Sequence, residues 1–191
     1  MYRAVTWAAL RGEVSVTDGD ALAALARAVT LGQDAGAADP AMRVLVNGED
    51  VTASLRLPEV DAGVSAISAV PAVRSVLVEL QRAFAKGNNM VMVGRDIATV
   101  VLPNADLKVF ITATPEERAR RRRLELAQSG SQTSYSAVLA DTKRRDRMDS
   151  ERPVSPLRPA EGAFVVQTDH VPVDDVVERI VAELKKKVPR A

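Results

Sequence analysis

Arginines and carboxylates gather at three places in this 191-residue chain. Gly94-Arg95-Asp96 follows the apolar run Met90–Val93. Arg118 and Arg120 to Arg123 follow Thr114-Pro115-Glu116-Glu117. Arg144, Arg145, Asp146, Arg147, Asp149 and Arg152 close a later polar stretch. Guanidinium groups bind phosphate oxygens through charge-assisted bonds, and carboxylates accept from hydroxyls and exocyclic amines. The combination suits a ligand that is anionic in one part and hydrogen-bonding in another.

Each cluster has a functional and a bland reading. The arginines of 118–123 and 144–152 flank a Gly/Ser break at 128–133, so two helices can fold back as an arginine-lined hairpin over polyphosphate. The alternative is a solvated helix face with pairs such as Arg121–Glu125. Asp149 can accept from a sugar hydroxyl while Arg145 or Arg152 reaches phosphate. The alternative is local charge pairing of Asp146, Asp149 and Arg152 at a helix end. Arg95 can meet phosphate while Asp96 accepts from an amine such as cytosine N4. The alternative is a structural Arg95–Asp96 pair. His170 receives no role, and no Ser/His/Asp set, HExxH or metal-ligand cluster is present.

The elements that must position these groups follow from periodicity. Met90–Val93 and Leu107–Thr112 are short apolar runs followed by polar residues, as expected of strands buried in a parallel sheet. In such sheets ligands bind beyond the carboxyl ends of the strands, where Arg95, Asp96 and the Arg118–Arg123 helix would lie. Tyr2–Arg11 reads as a helix with Val5, Ala8 and Ala9 on one face and Gly12 as its C-cap. A second helix, capped by Asp18 or Asp20, runs to about Thr30 with Leu22, Leu25, Ala26 and Val29 as its stripe. Gly32–Pro40 is expected as a loop. Arg43–Val46, Asn47-Gly48 and Glu49–Val51 signal a hairpin, which interrupts the helical pattern as an insertion. Helices are expected over Glu59–Ala69 and from Pro71 to Gly87, the latter with Val73, Val76, Leu77, Leu80 and Phe84 in register. Thr114 and Glu117 form a capping box with Pro115 at the first helical position. Tyr135 to about Met148 is helical, Arg152–Pro159 extended, Ala163–Thr168 a strand and Asp174–Lys187 a helix.

Bulk properties narrow the function classes. Net charge is +1, so no global basic field points to nucleic acid, and six aromatics (one Trp, two Tyr, three Phe) offer little for base stacking. There are no cysteines, which removes disulfides and thiolate metal sites and fits a reducing cytoplasm. No apolar run is long enough for a membrane span, and MYRAVTWAALRGEV makes a poor signal peptide.

The segments MYRAVTWAAL, VLVNGEDVT, VSAISAVPAVR, GRDIATVVLPNADLKVFITATPEERARRR and KRRDRMDSERPVSPL, in this order, resemble bacterial cytidylate kinases, which are nucleoside monophosphate kinases of the P-loop class. The resemblance covers essentially the whole chain and is most specific from Gly94 to Arg122. It implies an α/β fold with a parallel sheet and helices on both faces. It also implies one domain, with a monophosphate-binding insertion over about 32–70 and a lid over about 115–150. The implied activity is phosphoryl transfer from ATP, with Mg2+, to CMP or dCMP by a monomer. Ser65, Arg74 and Asp96 would recognise cytosine. Arg3, Arg95 and Arg152 would hold the acceptor phosphate. Arg145 and Asp149 would reach the sugar and, for Arg145, the transferring phosphate. Arg118 and Arg122 would approach the ATP phosphates.

One departure stands out. The family begins with a strand and a Gly-x-x-x-x-Gly-Lys-Ser/Thr loop that cradles ATP, and this sequence contains no Gly-Lys dipeptide. Met1 matches a methionine that is internal in many relatives. The expectation is therefore that the natural protein extends upstream of Met1, with true truncation as the alternative. The 191 residues by themselves are expected to lack the first two strands of the sheet and to have exposed apolar edges, low stability and no kinase activity. A non-catalytic pyrimidine-nucleotide-binding protein, a kinase for another monophosphate and an RNA-binding protein are the rivals.

Overall fold

The computed structural model describes residues 1–35, 42–128, 130–151 and 155–188. The chain divides into two compact units, Met1–Met90 and Val91–Ala191. No single helix among the described residues is long and apolar enough to cross a membrane.

The first unit is mainly helical. Helix α1 spans Tyr2–Arg11 and α2 spans Gly19–Ala28, with the Asp18 side chain accepting from the Ala21 N–H as its cap. Strands β1 (Leu31–Ala35), β2 (Met42–Val46) and β3 (Glu49–Asp50) form an antiparallel sheet in that order. The expected loop at 32–40 is thus corrected over its first residues: Gly32 pairs with Leu45 and Ala35 with Met42. Gly32 disguised a strand whose stability comes from its partner rather than from its own propensity. Residues 36–40 of that expected loop lie outside the described residues. The hairpin turn is as expected. Asn47 and Gly48 both take positive φ, at 51° and 83°, the geometry of a type I′ turn. A short 3-10 turn at Ser54–Arg56 leads into α3 (Pro58–Ala69) and α4 (Pro71–Ala85), each opened by proline.

Two apolar clusters hold this unit. Val5, Ala9, Leu22, Ala26, Ile67, Val73, Val76 and Leu77 form one; Ala4, Val29, Val46, Val51 and Leu55 form the other. The α4 stripe is buried at Val73, Val76 and Leu77, but Phe84 at its end is exposed.

The second unit contains a parallel pair, β4 (Val109–Thr112) and β5 (Phe164–Gln167), in register from Val109↔Phe164 to Thr112↔Gln167. It also contains α5 (Pro115–Gln128), α6 (Tyr135–Glu151) and α7 (Val173–Lys187). α5 and α6 pack against each other. The overall class is α/β with a small parallel sheet. The expected strand at Met90–Val93 does not form: the segment is irregular, and Val91 and Val93 are each 91% exposed. A short apolar run becomes a strand only by pairing, and no described strand pairs with this one. Few apolar side chains of this unit are buried, namely Val101, Ala119, Val138 and Val166 among the described residues.

Candidate functional site

The first unit carries Arg3, Ser65 and Arg74. α1 places Arg3 in its first turn, where the guanidinium donates to the Leu55 carbonyl at 2.7 Å and meets the Asp61 carboxylate at 2.5 Å. Arg74, on the first turn of α4, is buried. It donates to the Ser68 carbonyl at 3.0 Å and lies 5.3 Å from the Tyr2 ring centroid, within cation–π range. Ser65 is half-buried on α3, one turn after Asp61 and so on the same helix face; its carbonyl accepts from the Ser68 hydroxyl at 3.0 Å. Sequence reasoning passed over Asp61. Its signal was an acidic residue in the first turn of a Pro-started helix, which ordinarily reads as dipole compensation alone.

The second unit carries Arg95, Asp96, Arg118, Arg122, Arg145 and Asp149. Arg95 does not form the expected alternative pair with its neighbour Asp96. It bonds the buried carboxylate of Asp149 on α6. Asp96 is itself buried, and its carbonyl starts a π-helical turn, Ile97–Val101, accepting from Val100 at 2.9 Å and Val101 at 3.3 Å. Such wide turns recur at functional sites. Gly94 allows this chain path: a Cβ there would lie 2.8 Å from Ile97 Cγ1. Arg152 lies outside the described residues.

The arginine hairpin forms, with most of its cations engaged. Arg118 grips Asp146 through both terminal nitrogens, joining α5 to α6. Lys143 of α6 reaches Glu116 of α5 at 2.8 Å. Arg145 and Arg144 both turn to Asp141. The expected Arg121–Glu125 pair is not the one made. Arg122 takes Glu125 at 3.2 Å, while Arg121 binds Glu117 and the backbone and hydroxyl of Thr168 after β5. Arg121 lies toward the sheet and Arg122 does not, because successive helical positions are rotated by about 100°.

Half of the expected capping box is present. The Glu117 N–H donates to the Thr114 hydroxyl at 3.2 Å, but the Thr114 N–H is capped by Asp169 at 3.0 Å rather than by Glu117. Glu117 is buried and committed to Arg120 and Arg121. The Arg120 hydrogen bonds, followed by those of Arg121, outweigh burial and lower its pKa from 4.5 to about 2. Hydrogen bonds from Thr114 likewise hold Asp169 below the ordinary carboxylate range. Beside them lies an open cavity of about 280 Å³ lined by Thr114, Glu116, Glu117, Arg120, Tyr135 and His170. His170 is exposed, with Nδ1 4.0 Å from Glu117 Oε2.

Each unit thus presents guanidinium groups fixed by buried carboxylates or backbone carbonyls, a chemistry suited to phosphate oxygens and polar ring or sugar atoms. Residues 1–186 match the family model described as cytidylate kinase. The chain is 48% identical over 184 residues to a cytidylate kinase of Pelotomaculum thermopropionicum, covering 96% of this chain and 81% of that protein. It is 45% identical over 188 residues to a cytidylate kinase of Desulfitobacterium hafniense, covering 98% and 80%. It is 39% identical over 187 residues to a cytidylate kinase of Pseudomonas aeruginosa, covering 98% and 82%. The chain belongs to the cytidylate kinase family.

Proposed function

We propose that this chain serves phosphoryl transfer from ATP to CMP or dCMP, as one cytidylate-kinase-like domain with an acceptor-binding insertion over about 32–70 and a lid over about 115–150. The observation that carries the reading is the buried acceptor chemistry of the second unit: Asp96 and Asp149 are 5% and 4% exposed, and Asp149 is joined to Arg95. Burying carboxylates is costly unless they have work or partners. In this reading Ser65, Arg74 and Asp96 read the cytosine, with Asp96 accepting from N4. Arg3, Arg95 and Arg152 hold the acceptor phosphate. Asp149 accepts from the sugar, and Arg145 serves the sugar and the transferring phosphate. Arg118 and Arg122 exchange Asp146 and Glu125 for ATP oxygens as the lid engages. Positioning plus preorganised positive charge is most of what phosphoryl transfer asks of a protein.

The described residues offer no built site for a resident magnesium ion. Among the described residues no group of three or more His, Asp or Glu could hold a metal, and no Gly-Lys dipeptide supplies the usual loop. Magnesium would arrive with ATP, and no protein ligand is assigned to it. We therefore expect this chain to bind CMP and to form little CDP on its own; the second reading, a non-catalytic pyrimidine-nucleotide-binding protein, shares that binding. A calorimetric titration with CMP, competed by UMP and AMP, tests the binding. Preference for CMP is the expected result, and equal competition by AMP overturns the cytosine assignment. ATP-dependent CDP formation by the soluble, monomeric chain would overturn the expected inactivity and the non-catalytic reading together.

A further inference from the structure

We propose that Asp61 is a positioning residue for Arg3, setting the guanidinium toward the acceptor phosphate and so separating nucleotide from nucleoside. This rests on the assignment of Arg3 to that phosphate. Arg3 stands in the first turn of α1, at the positive end of the helix dipole, where a cation is disfavoured without a counter-charge. Two other elements of the same unit hold its head. The carbonyl of Leu55, in the 3-10 turn, accepts from Nη1 at 2.7 Å, and Asp61 Oδ1, on α3, lies 2.5 Å from Nη2. A guanidinium has five N–H donors in a fixed plane, so these contacts fix its orientation and leave donors for a ligand. The side chains differ in accessibility, 40% for Arg3 against 12% for Asp61. An incoming oxyanion therefore meets the cation, while the carboxylate is shielded.

The backbone supports the carboxylate in turn. The Asp61 N–H donates to the Leu57 carbonyl at 3.0 Å, so Asp61 sits in regular helix rather than on a loop. Ser65 follows one helical turn later on the same face. α3 thereby carries both the group that orients the phosphate-binding cation and the hydroxyl assigned to the base. A long, rotamer-rich arginine ordered before binding loses less freedom when the ligand arrives.

The test is calorimetric titration of the full chain with CMP and with cytidine, which lacks the phosphate. Wild type is expected to bind CMP more tightly. Asp61→Ala should weaken CMP about 3- to 10-fold, the scale of ordering one such side chain, and leave cytidine within about twofold. Asp61→Asn, which keeps an oxygen near Nη2 but loses the charge, should fall between. In an Arg3→Ala background, Asp61→Ala should have no further effect on CMP. Equal weakening of both ligands would make Asp61 merely structural, and unchanged or tighter CMP binding would make it a competitor; either overturns the proposal. If wild type does not distinguish CMP from cytidine, the phosphate assignment of Arg3 fails first and the proposal falls with it.

Discussion

Arg95 shows how an accessible cation is tied to a buried carboxylate. Its side chain is 48% exposed, while that of Asp149 is 6% exposed, so the pair joins an accessible guanidinium to a shielded carboxylate. Removing the cation strips a charged partner from a buried acceptor, which costs more than losing a surface pair. Arg95→Ala should lower the stability of the second unit by about 1–3 kcal/mol, read as a lower urea midpoint with unchanged slope. The types of these residues were legible in the sequence. Their partners were not. Asp96 is adjacent in sequence, yet Arg95 chose a carboxylate 54 residues away.

α5 and α6 are where local signals carried furthest. Proline at the first helical position, Thr114 before it and the Gly/Ser break after it marked both ends of α5. What the pattern left open was the destination of Glu117, which turns along its own helix to Arg120 and Arg121 while Asp169 takes its capping role. This arrangement has a pH signature. The folded-state pKa of Glu117 is about 2, below its ordinary 4.5. A depressed carboxylate contributes stability above its unfolded value, and that contribution is lost as pH falls through the folded value. Between pH 4.5 and about 2 the α5 anchor should therefore weaken. Glu117→Gln should be less stable than wild type at neutral pH and show a flatter pH dependence across that window, as followed by thermal melting.

At the scale of the molecule, the two units are built differently. The first has two apolar clusters, into which its helices pack. The second has few buried apolar side chains, and it exposes Ile111 and Val165 on its sheet and Val173, Val177, Val181 and Leu184 along α7. Val91 and Val93 are more exposed than any of these, on a segment that pairs with no described strand. Unpaired valine-rich segments are templates for association. Val91→Thr combined with Val93→Thr should slow the growth of light scattering at 37 °C while leaving far-UV circular dichroism unchanged. If scattering grows as before, the association runs through another surface, and the apolar stripe of α7 is the next to change.

The sequence by itself determined the α-helices and most of their ends, the Asn47-Gly48 turn and the family, because those signals lie within a few residues of one another and act through backbone geometry. The turns at Ser54–Arg56 and Ile97–Val101 were not legible in it. Tertiary structure alone decided that Gly32 lies in a strand and Met90–Val93 does not, since strands exist only through their partners. It also decided which carboxylate each arginine meets. Arg3 reaches Asp61 and Arg95 reaches Asp149, pairings set by the packing of α1 on α3 in the first unit and by the placement of α6 in the second. A guanidinium binds any carboxylate brought within reach, so its partner is fixed by the fold that delivers one.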